Sequence, residues 1–468
     1  MHADVVVVGS GAGGSSVAGE LARSGAKVLL IEAGGEVAPG PSWQGRNKAP
    51  AERDIESYAQ FIEGALGLYA GSEPPPRDIP GSVVAHALGG VMTAWTHNCP
   101  SPSPTLEPVT GVDQHDLNEA LDRARALLSV SSEVTDGGVR QARLMDRALE
   151  MYPDASRPPQ AMPLAARFTD DGSMYFTGAG DLLLYEGAVP ENLEILSSHI
   201  ALRLNHRDGH AESLEVVSRS TNESSRISAD RFVLAAGAIG TPKLLVASAL
   251  DAGPALGRYL TDHPHVCSSV LLADDLREGV PEDDRTVGVL FPVDEGHRLQ
   301  SEIVKFPVPV TALPDEHDPL FRMDVFTTVG VEPDPENRLI FAPDQTDSFG
   351  LPRFDARLAF SETDEQSLRE ATAEHVRVLQ GIANANDGWD VTTLKAGSST
   401  HLMGTHRIGA QDDGESVADP TARLWRSDNV WLAGNGLINH WTACNPSLTT
   451  AALGLMAADA IVAASDRG

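Results

Sequence analysis

The residues of this sequence with the clearest chemical purpose are three glycines and a carboxylate near its start. Gly9, Gly11 and Gly14 give the spacing G-x-G-x-x-G, and Glu32 follows them. The first glycine permits a tight turn, the second lets backbone approach a pyrophosphate, and the third lets a helix pack closely on a strand. Glu32 is placed to accept hydrogen bonds from ribose hydroxyls and repels a 2′-phosphate. The pattern therefore predicts a dinucleotide site and argues against NADP.

A strand, a helix and a second strand must hold these residues in place. Val5 to Val8 are apolar at every position, which is typical of a strand covered on both faces in a parallel sheet. Another buried strand near Arg231 runs into a glycine-containing turn, with Pro242 expected in the first turn of the next helix. A third strand follows at Val430, and a long apolar helix begins at Pro446. These segments predict an α/β nucleotide domain made of three separated pieces.

Two other stretches interrupt that domain and predict a second one. The first combines amphipathic helices with polar loops, and the second has short alternating segments typical of an antiparallel sheet, followed by a helix near Glu362 to Asn384. A further helix is predicted over Asp54 to Tyr69. We expect a Rossmann-like nucleotide domain formed by residues 1–99, 191–264 and 400–468, and a substrate domain formed by residues 100–190 and 265–399.

Composition narrows the partners and the compartment. The formal charge of −31 repels nucleic acid phosphates and anionic lipid surfaces, so a neutral substrate is expected. The chain has three cysteines, Cys99, Cys267 and Cys444, whose spacing fits neither a disulfide framework nor a metal site. No metal is therefore predicted, and each cysteine is expected to be a small buried side chain. No apolar run is expected to reach the roughly 18 residues of a membrane span, and the first strand leaves no room for a signal peptide. We therefore expect a cytoplasmic protein.

Several longer segments resemble one family of flavoenzymes in the same order along the chain. They are VVVVGSGAGG, VLAAGAIGTPKLL, LGRYLTDHP, HLMGTHRIG and NVWLAGNGLINHWTACNPSLTTAALGL. The chain resembles glucose-methanol-choline (GMC) oxidoreductases, and GGVMTAWTHNCP and DSFGLPRF are similar to segments of the pyranose oxidase branch. WTHNCPSPSP and the shorter chain resemble bacterial glycoside 3-oxidases, including those acting on C-glycosides.

The resemblance implies a fold, a cofactor and a reaction. The fold is the two-domain architecture shared with p-hydroxybenzoate hydroxylase, with an antiparallel sheet flanked by helices in the substrate domain, and the cofactor is FAD. The reaction is oxidation of a secondary ring hydroxyl of a pyranose sugar or glycoside to a ketone, at C3 rather than C2, with O2 or another acceptor reoxidising FAD. Two alternatives stay open: a GMC enzyme for a nonsugar alcohol such as a sterol, and a noncatalytic flavin-fold binding protein. A monomer or homodimer is expected.

The resemblance also places the catalytic groups. It assigns the base to His401 and a hydrogen-bonding partner to Asn445. The residue types agree, because an imidazole has a pKa near the working pH and an amide orients a hydroxyl without competing as a base. Asn445 could instead cap the helix that begins at Pro446. His406 is expected to support the loop through a structural hydrogen bond. His440 and Trp441 could line the sugar pocket, although Trp441 could instead be a packing residue.

The expected FAD contacts come from several separate segments of the chain. They are Gly9, Gly11, Gly14, Glu32, Ala33, Gly90, Thr93, Thr96, His97, Asn98, Ile200, Ala236, Gly237, Asn435, Gly436, Asn445, Pro446 and Ser447. In fungal pyranose oxidases a histidine two residues before a threonine is bonded covalently to FAD. Ala94 stands at the matching position before Thr96, and a methyl group cannot form that bond. Noncovalent FAD is therefore expected, with His97 as the alternative point of attachment.

Overall fold

The computed structural model describes residues 2–38, 40–48, 75–306, 309–313, 317–384 and 388–465, and the predicted helix over Asp54 to Tyr69 lies outside them. The α-helices are α1 (Ala12–Arg23), α2 (Gln114–Leu127), α3 (Val139–Met151), α4 (Gly237–Ala247), α5 (Asp274–Arg277), α6 (Glu362–Ile382) and α7 (Ser447–Ser465). The strands are β1 (His2–Val8), β2 (Val28–Ile31), β3 (Val130–Ser131), β4 (Gln160–Ala161), β5 (Leu164–Phe168), β6 (Met174–Phe176), β7 (Leu193–Leu196), β8 (His199–Arg207), β9 (His210–Ser218), β10 (Ser224–Leu234), β11 (His265–Leu271), β12 (Val289–Phe291), β13 (Leu299–Val304), β14 (Arg322–Val329), β15 (Arg338–Thr346), β16 (Pro352–Arg357), β17 (Thr392–Thr393) and β18 (Val430–Leu432).

The first domain is organised on a seven-stranded sheet within the described residues. Its order is β7-β2-β1-β10-β9-β8, and β18 also pairs with β10. Strands β7, β2, β1 and β18 and the last part of β10 run parallel, whereas β8, β9 and the first part of β10 are antiparallel. The run Val5 to Val8 is buried throughout, so the prediction of a doubly covered strand is confirmed. Parallel strands end at one edge of the sheet, where the glycine-rich turn lies.

The glycines of that turn are required by close backbone contacts. Gly9 has φ +102°, and a Cβ added to it would lie 2.4 Å from the carbonyl oxygen of Ala235. A Cβ on Gly14 would lie 1.9 Å from the carbonyl oxygen of Gly9. Any larger residue at either position would force α1 away from the sheet. The role predicted for the third glycine, close packing of helix and strand, is confirmed.

Helix α7 is the central helix of this domain. It packs on α1 so closely that a Cβ on Gly454 would lie 2.8 Å from the carbonyl oxygen of Gly13. With a mean hydropathy of 1.6 over a window that is 61% buried, α7 is long and apolar enough to span a membrane, so the prediction that no apolar run reaches that length was wrong. The same composition suits a helix enclosed by protein. Helix α2, from the predicted insertion, also joins this core through Leu117 and Leu121.

The second domain contains the predicted antiparallel sheet. Within the described residues its order is β17-β11-β14-β13-β12-β4, and β4 comes from the first insertion. Helix α6 covers one face, where Val378 and Leu379 pack with Val325 and Ile303. One of the short alternating segments, RFDARLAF, lies outside this sheet, because its residues 353–357 belong to β16, which pairs with β15 as a separate hairpin. That hairpin instead packs toward the first domain around Leu339 and Ile239.

Pro242 does not stand where the sequence predicts it. Helix α4 begins at Gly237, so Pro242 lies in its second turn rather than its first. A proline there lacks the N–H that would bond to the carbonyl of Ala238 four residues earlier. That carbonyl accepts a hydrogen bond from the hydroxyl of Thr405 at 2.6 Å. The prediction failed because a distant side chain satisfies the acceptor that the proline leaves free.

A double-mutant cycle tests this compensation. We expect Thr405→Val to lower the free energy of unfolding by about 1–2 kcal/mol, because the buried Ala238 carbonyl loses its donor. In a Pro242→Ala background the restored N–H serves that carbonyl, so the cost of Thr405→Val should shrink to a few tenths of that value. Urea unfolding of the four proteins measures both costs. Equal costs in the two backgrounds would contradict the account.

Candidate active site

A deep cleft crosses the carboxyl edge of the parallel sheet. Its open space, including the mouth and the solvent in it, is about 1570 Å³. Many of the residues expected at the cofactor and at the reacting centre line it. They are Gly9, Gly11, Glu32, Ala33, Gly90, Ile200, Ala236, Gly237, His401, Asn435 and Ser447.

The adenosine end of the cleft is marked by Glu32. Its carboxylate is buried and accepts hydrogen bonds from the backbone N–H of Ser10 at 3.0 Å, the Ser10 hydroxyl at 2.8 Å and the N–H of Gly34 at 2.9 Å. Burial raises the pKa of Glu32, and the hydrogen bonds from Gly34 and Ser10 oppose that rise. A backbone hydrogen bond from Ala33 also opposes the rise, and a carboxylate at this position repels a 2′-phosphate. The residues present fit an unphosphorylated ribose.

Two helix N-termini converge on the middle of the cleft. Helix α1 begins beside Gly11, where a Cβ would meet no atom within 4 Å and the backbone is open to a ligand. Helix α7 begins at Ser447, directly after Pro446, and both Ser447 and Thr450 line the cleft. Unpaired N–H groups and the helix dipoles favour negative charge at both places. The arrangement suits a pyrophosphate at α1 and an electron-rich ring at α7.

Four of the expected cofactor contacts point elsewhere. The chain lines the cleft at Gly90 to Met92 and at Trp95 and then turns away, so Thr93, Thr96, His97 and Asn98 are not part of the lining. Thr93 donates to the carbonyl of Leu88. The ring of His97 is fully buried, with ring centroids 5.1 Å from Trp95 and 4.7 Å from Phe176. Gly14, Gly436, Asn445 and Pro446 are likewise not among the residues that line the cleft, so cofactor contact through these eight residues stays a prediction.

The predicted base belongs to a cluster of three histidines. Nδ1 of His401 lies 3.1 Å from Nδ1 of His263, and the ring centroids of His401 and His265 are 5.8 Å apart. His401 is partly exposed and lines the cleft, whereas His263 and His265 are buried. Burial, followed by the neighbouring His263 and His265, holds the pKa of His401 well below 6.5. The imidazole is therefore neutral and ready to accept a proton at neutral pH.

A buried carboxylate holds the turn that presents His401. Asp262 accepts from the N–H of Gly397 at 2.6 Å and from the hydroxyl of Ser399. The hydroxyl oxygen of Ser399 in turn accepts from the backbone N–H of His401 at 2.9 Å. Thr400, between them, has φ +61°, a conformation that costs free energy outside glycine and persists only where surrounding contacts enforce it. Asp262 and Ser399 supply those contacts.

The second predicted catalytic residue lies in a buried polar network. Oδ1 of Asn445 accepts from Nε2 of Gln300 at 2.9 Å, and the same Nε2 lies 3.1 Å from Oε1 of Glu302. The amide of Asn98 donates to the other carboxylate oxygen of Glu302. Burial raises the pKa of Glu302 to about 7, although hydrogen bonds from Asn98, Gln300 and Asn445 oppose the rise. The described contacts of the Asn445 side chain go to this network rather than to the start of α7.

The loop before Asn445 is fixed by Glu107. One oxygen of its buried carboxylate accepts from the Thr442 hydroxyl at 2.8 Å and from the N–H groups of Ala443 and Cys444 at 2.9 and 3.0 Å. The other oxygen accepts from the N–H of Ser103 at 3.0 Å. Because charge-assisted hydrogen bonds of this kind are strong, the carboxylate fixes the backbone from which Asn445 projects.

The other histidines of the C-terminal block are set back from the cleft. His406 is buried, and its ring packs so tightly on Gly436 that a Cβ there would lie 2.0 Å from the ring. Burial lowers the pKa of His406 to about 3. His440 and Trp441 stack with centroids 5.4 Å apart, and Trp441 also contacts Arg298. None of the three lines the cleft.

Several residues of the site were not identified from the sequence. Gln300 and Glu302 alternate on β13, which indicates that they share one face, but nothing in the sequence shows that Asn98 and Asn445 meet them there. His263 and Asp262 stand in LGRYLTDHP, a segment that carried the resemblance but no assigned role. Glu107 has no local pattern around it. Cys99, Cys267 and Cys444 are buried and free as predicted, and no group of metal-ligating side chains occurs in the described part of the chain.

The geometry defines a class of protein. A nucleotide cleft at the edge of a parallel sheet, a second domain with an antiparallel sheet, and a neutral imidazole brought to the cleft by a C-terminal segment are the parts of a two-domain, dinucleotide-dependent oxidoreductase.

Comparison with known proteins gives the family. Residues 181–265 and 333–454 match the N-terminal and C-terminal models described as GMC oxidoreductase. The chain is similar to GMC oxidoreductases over these two segments, and FAD is its cofactor. The solved structures that resemble it include a pyridoxine 4-oxidase of Mesorbium loti (18% identical, TM-score 0.66, covering 98% of this chain and 99% of that one) and an Aspergillus oryzae formate oxidase (16% identical, TM-score 0.71, covering 100% and 99%).

Relatives of similar length are closer in sequence. A pyranose 2-oxidase of Tricholoma matsutake is 27% identical over 98% of this chain and 94% of that protein. A C-glycoside 3-oxidase of Microbacterium trichothecenolyticum is 28% identical over 97% of this chain and 95% of that protein. The prediction of a GMC enzyme of the pyranose oxidase branch is confirmed by these similarities.

Proposed function

We propose that this protein oxidises a secondary ring hydroxyl of a pyranose sugar or glycoside to a ketone, at C3 rather than C2. The observation that carries the proposal is the neutral imidazole of His401 on the wall of the cofactor cleft. The full-length similarity to pyranose 2-oxidases and C-glycoside 3-oxidases supports the substrate class. The formal charge of −31 agrees with a neutral polyol as substrate.

In this mechanism His401 acts as the base, and the polar network around Asn445 orients the substrate. Bound FAD supplies an electrophilic N5 atom that accepts the hydride. His401 takes the hydroxyl proton on its cleft-facing nitrogen as the carbon–hydrogen bond breaks. The amide of Asn445, fixed by Gln300 and Glu302, orients the hydroxyl. The N-terminus of α7 stabilises the negative charge of the reduced cofactor.

The proposal includes an electron acceptor, a compartment and an oligomeric state. O2 or another small acceptor reoxidises FAD, and the enzyme works in the cytoplasm as a monomer or homodimer without a nucleic acid or membrane partner. The strongly acidic composition supports the absence of nucleic acid partners. Purified holoenzyme in size-exclusion chromatography with light scattering measures the oligomeric state.

Anaerobic bleaching of the flavin tests the reaction. Holoenzyme is mixed with free pyranoses, O-glycosides, C-glycosides, a sterol and simple primary alcohols, and the loss of flavin absorbance is followed. We expect bleaching by one of the sugar classes, with a 3-keto product identified by NMR. Bleaching by the sterol or simple alcohols alone would replace the proposal with a nonsugar oxidase, and yellow protein that no compound reduces would indicate a noncatalytic flavin protein.

We also propose that FAD is held without a covalent bond. Ala94 has no nucleophilic atom, and His97, the other candidate, is enclosed by Trp95 and Phe176 away from the cleft lining. Acid precipitation should therefore release all of the flavin into the supernatant. Flavin that stays with the pellet, and follows a His97-containing peptide after proteolysis, would contradict this prediction.

A further inference from the structure

The contact between His263 and His401 determines which nitrogen of the base can take a proton. The two Nδ1 atoms are 3.1 Å apart, and the rings are nearly perpendicular at 81°. A neutral imidazole has one N–H and one lone pair, so one of these Nδ1 atoms must donate and the other must accept. Nε2 of His401 lies on the side of the ring away from His263. It keeps a lone pair only if Nδ1–H of His401 donates to Nδ1 of His263.

The surroundings of His263 favour that arrangement. Burial, followed by His265, lowers the pKa of His263 to about 3, and a backbone interaction with Thr442 opposes the decrease. A backbone group that raises a histidine pKa is a carbonyl accepting from the ring. Nε2 of His263 has no well-formed hydrogen bond among the described groups, but Thr442 is the neighbour able to receive its proton. With the proton on Nε2, Nδ1 of His263 is an acceptor.

The opposite tautomers are disfavoured. If His263 donated through Nδ1, its Nε2 would present a lone pair to the carbonyl of Thr442, and two buried acceptors would face each other without a proton. Nε2 of His401 would then carry a hydrogen and could not act as a base. Nδ1 of His265 contacts the Thr328 hydroxyl at 2.9 Å, whereas the described hydrogen-bond contact of Nδ1 of His401 is with His263.

We propose that His263 is a positioning residue that accepts a hydrogen bond from Nδ1–H of His401 and so keeps Nε2 of His401 unprotonated toward the cleft. This role rests on the proposed function of His401 as base. It also connects the base to the loop that carries Asn445, because Thr442 touches His263 on one side and Glu107 on the other. When His401 takes the substrate proton on Nε2, its Nδ1–H remains hydrogen-bonded to a neutral acceptor, which stabilises the imidazolium.

Two substitutions separate positioning from packing. His263→Leu removes the acceptor, and His263→Asn keeps one, because its Oδ1 can occupy the place of Nδ1. We expect His263→Leu to lower the rate constant of anaerobic flavin reduction about 10²-fold, with FAD content and the apparent substrate Kd unchanged. His263→Asn should stay within about 10-fold of the wild type. The proposal would be overturned if His263→Leu changed only the FAD content or the apparent substrate Kd. It would also be overturned if both variants lowered the reduction rate by the same factor.

His375 offers a matched control. It is buried in helix α6, which covers the antiparallel sheet, and its nitrogens contact Thr327 and Ser268 rather than His401. His375→Leu should therefore leave the reduction rate per bound FAD unchanged, and a loss equal to that of His263→Leu would show a general packing effect.

A readout without substrate keeps this proposal separate from the proposed function. In resting holoenzyme labelled with ¹⁵N-histidine, the chemical shifts of His401 should report a protonated Nδ1 and a free Nε2, and this state should be lost in His263→Leu. A protonated Nε2 in the wild type would refute the positioning role. If no sugar bleaches the wild type while the tautomer is as expected, the proposed substrate class fails and the positioning role stands.

Discussion

We expect replacement of His401 with alanine to lower the rate constant of flavin reduction about 10²–10⁴-fold while FAD stays bound. The imidazole of His401 lines the cleft, is neutral, and belongs to a residue that is held in place by Ser399 and His263. Loss of a well-placed general base costs about 10²–10⁴-fold. Stopped-flow absorbance under anaerobic conditions measures the rate, and released flavin measures occupancy.

Added imidazole supplies the control for this variant. Because alanine leaves a space beside His263, free imidazole at millimolar concentrations should restore part of the reduction rate of His401→Ala and leave the wild type unchanged. The burial that holds the pKa of His401 well below 6.5 means that the wild type loses base function only at pH values well below 6.5. Rapid reduction in His401→Ala without imidazole would falsify the assignment.

Glu302→Gln should become more stable relative to the wild type as the pH rises from 5 to 8. The folded-state pKa of Glu302 is raised by burial from 4.5 to about 7, so between these values the folded protein holds a proton that the unfolded chain has lost. The wild type therefore loses stability as pH rises toward 7, by up to about 3 kcal/mol. Glutamine does not ionise and escapes this loss.

The pH dependence separates ionisation from lost hydrogen bonds. In Glu302→Gln an NH2 group replaces one of the two carboxylate oxygens. Asn98 or Gln300 then loses its acceptor, which costs about 1–3 kcal/mol at every pH. Only the difference between the two proteins at pH 5 and pH 8 reports the carboxylate, since all other titrating groups are common to both. Denaturant unfolding of the holoenzymes at the two pH values measures it. A difference that does not change with pH would contradict a raised pKa.

The nucleotide half of the molecule could be predicted because its determinants are local. Gly9, Gly14 and Glu32 act on backbone within one strand, turn and helix, so their spacing describes the structure directly. The apolar run Val5 to Val8 similarly predicts a doubly covered strand from composition alone. Pro242 shows where local rules end, because the start of α4 depends on a Thr405 hydroxyl supplied by another part of the chain.

The catalytic half could be predicted only in part. Resemblance identified His401 and Asn445, but the groups that orient them come from separate segments. Glu302 and Gln300 reach Asn445 from a strand of the second domain. Glu107 reaches the same loop from the first insertion, and a single sequence has no periodicity that joins such positions. Burial of a carboxylate between two domains depends on how they meet, which composition does not reveal.

The pairing of β18 with β10 and the packing of α7 on α1 have a consequence for biosynthesis. The glycine-rich unit is synthesised long before the residues near 430–465 that complete its sheet and its helix layer. Contacts of such long sequence separation form late and slowly. Nascent chains expose the apolar faces of β10 and α1 until β18 and α7 have been synthesised, so chaperone supply and FAD availability at that moment should govern the yield of active enzyme.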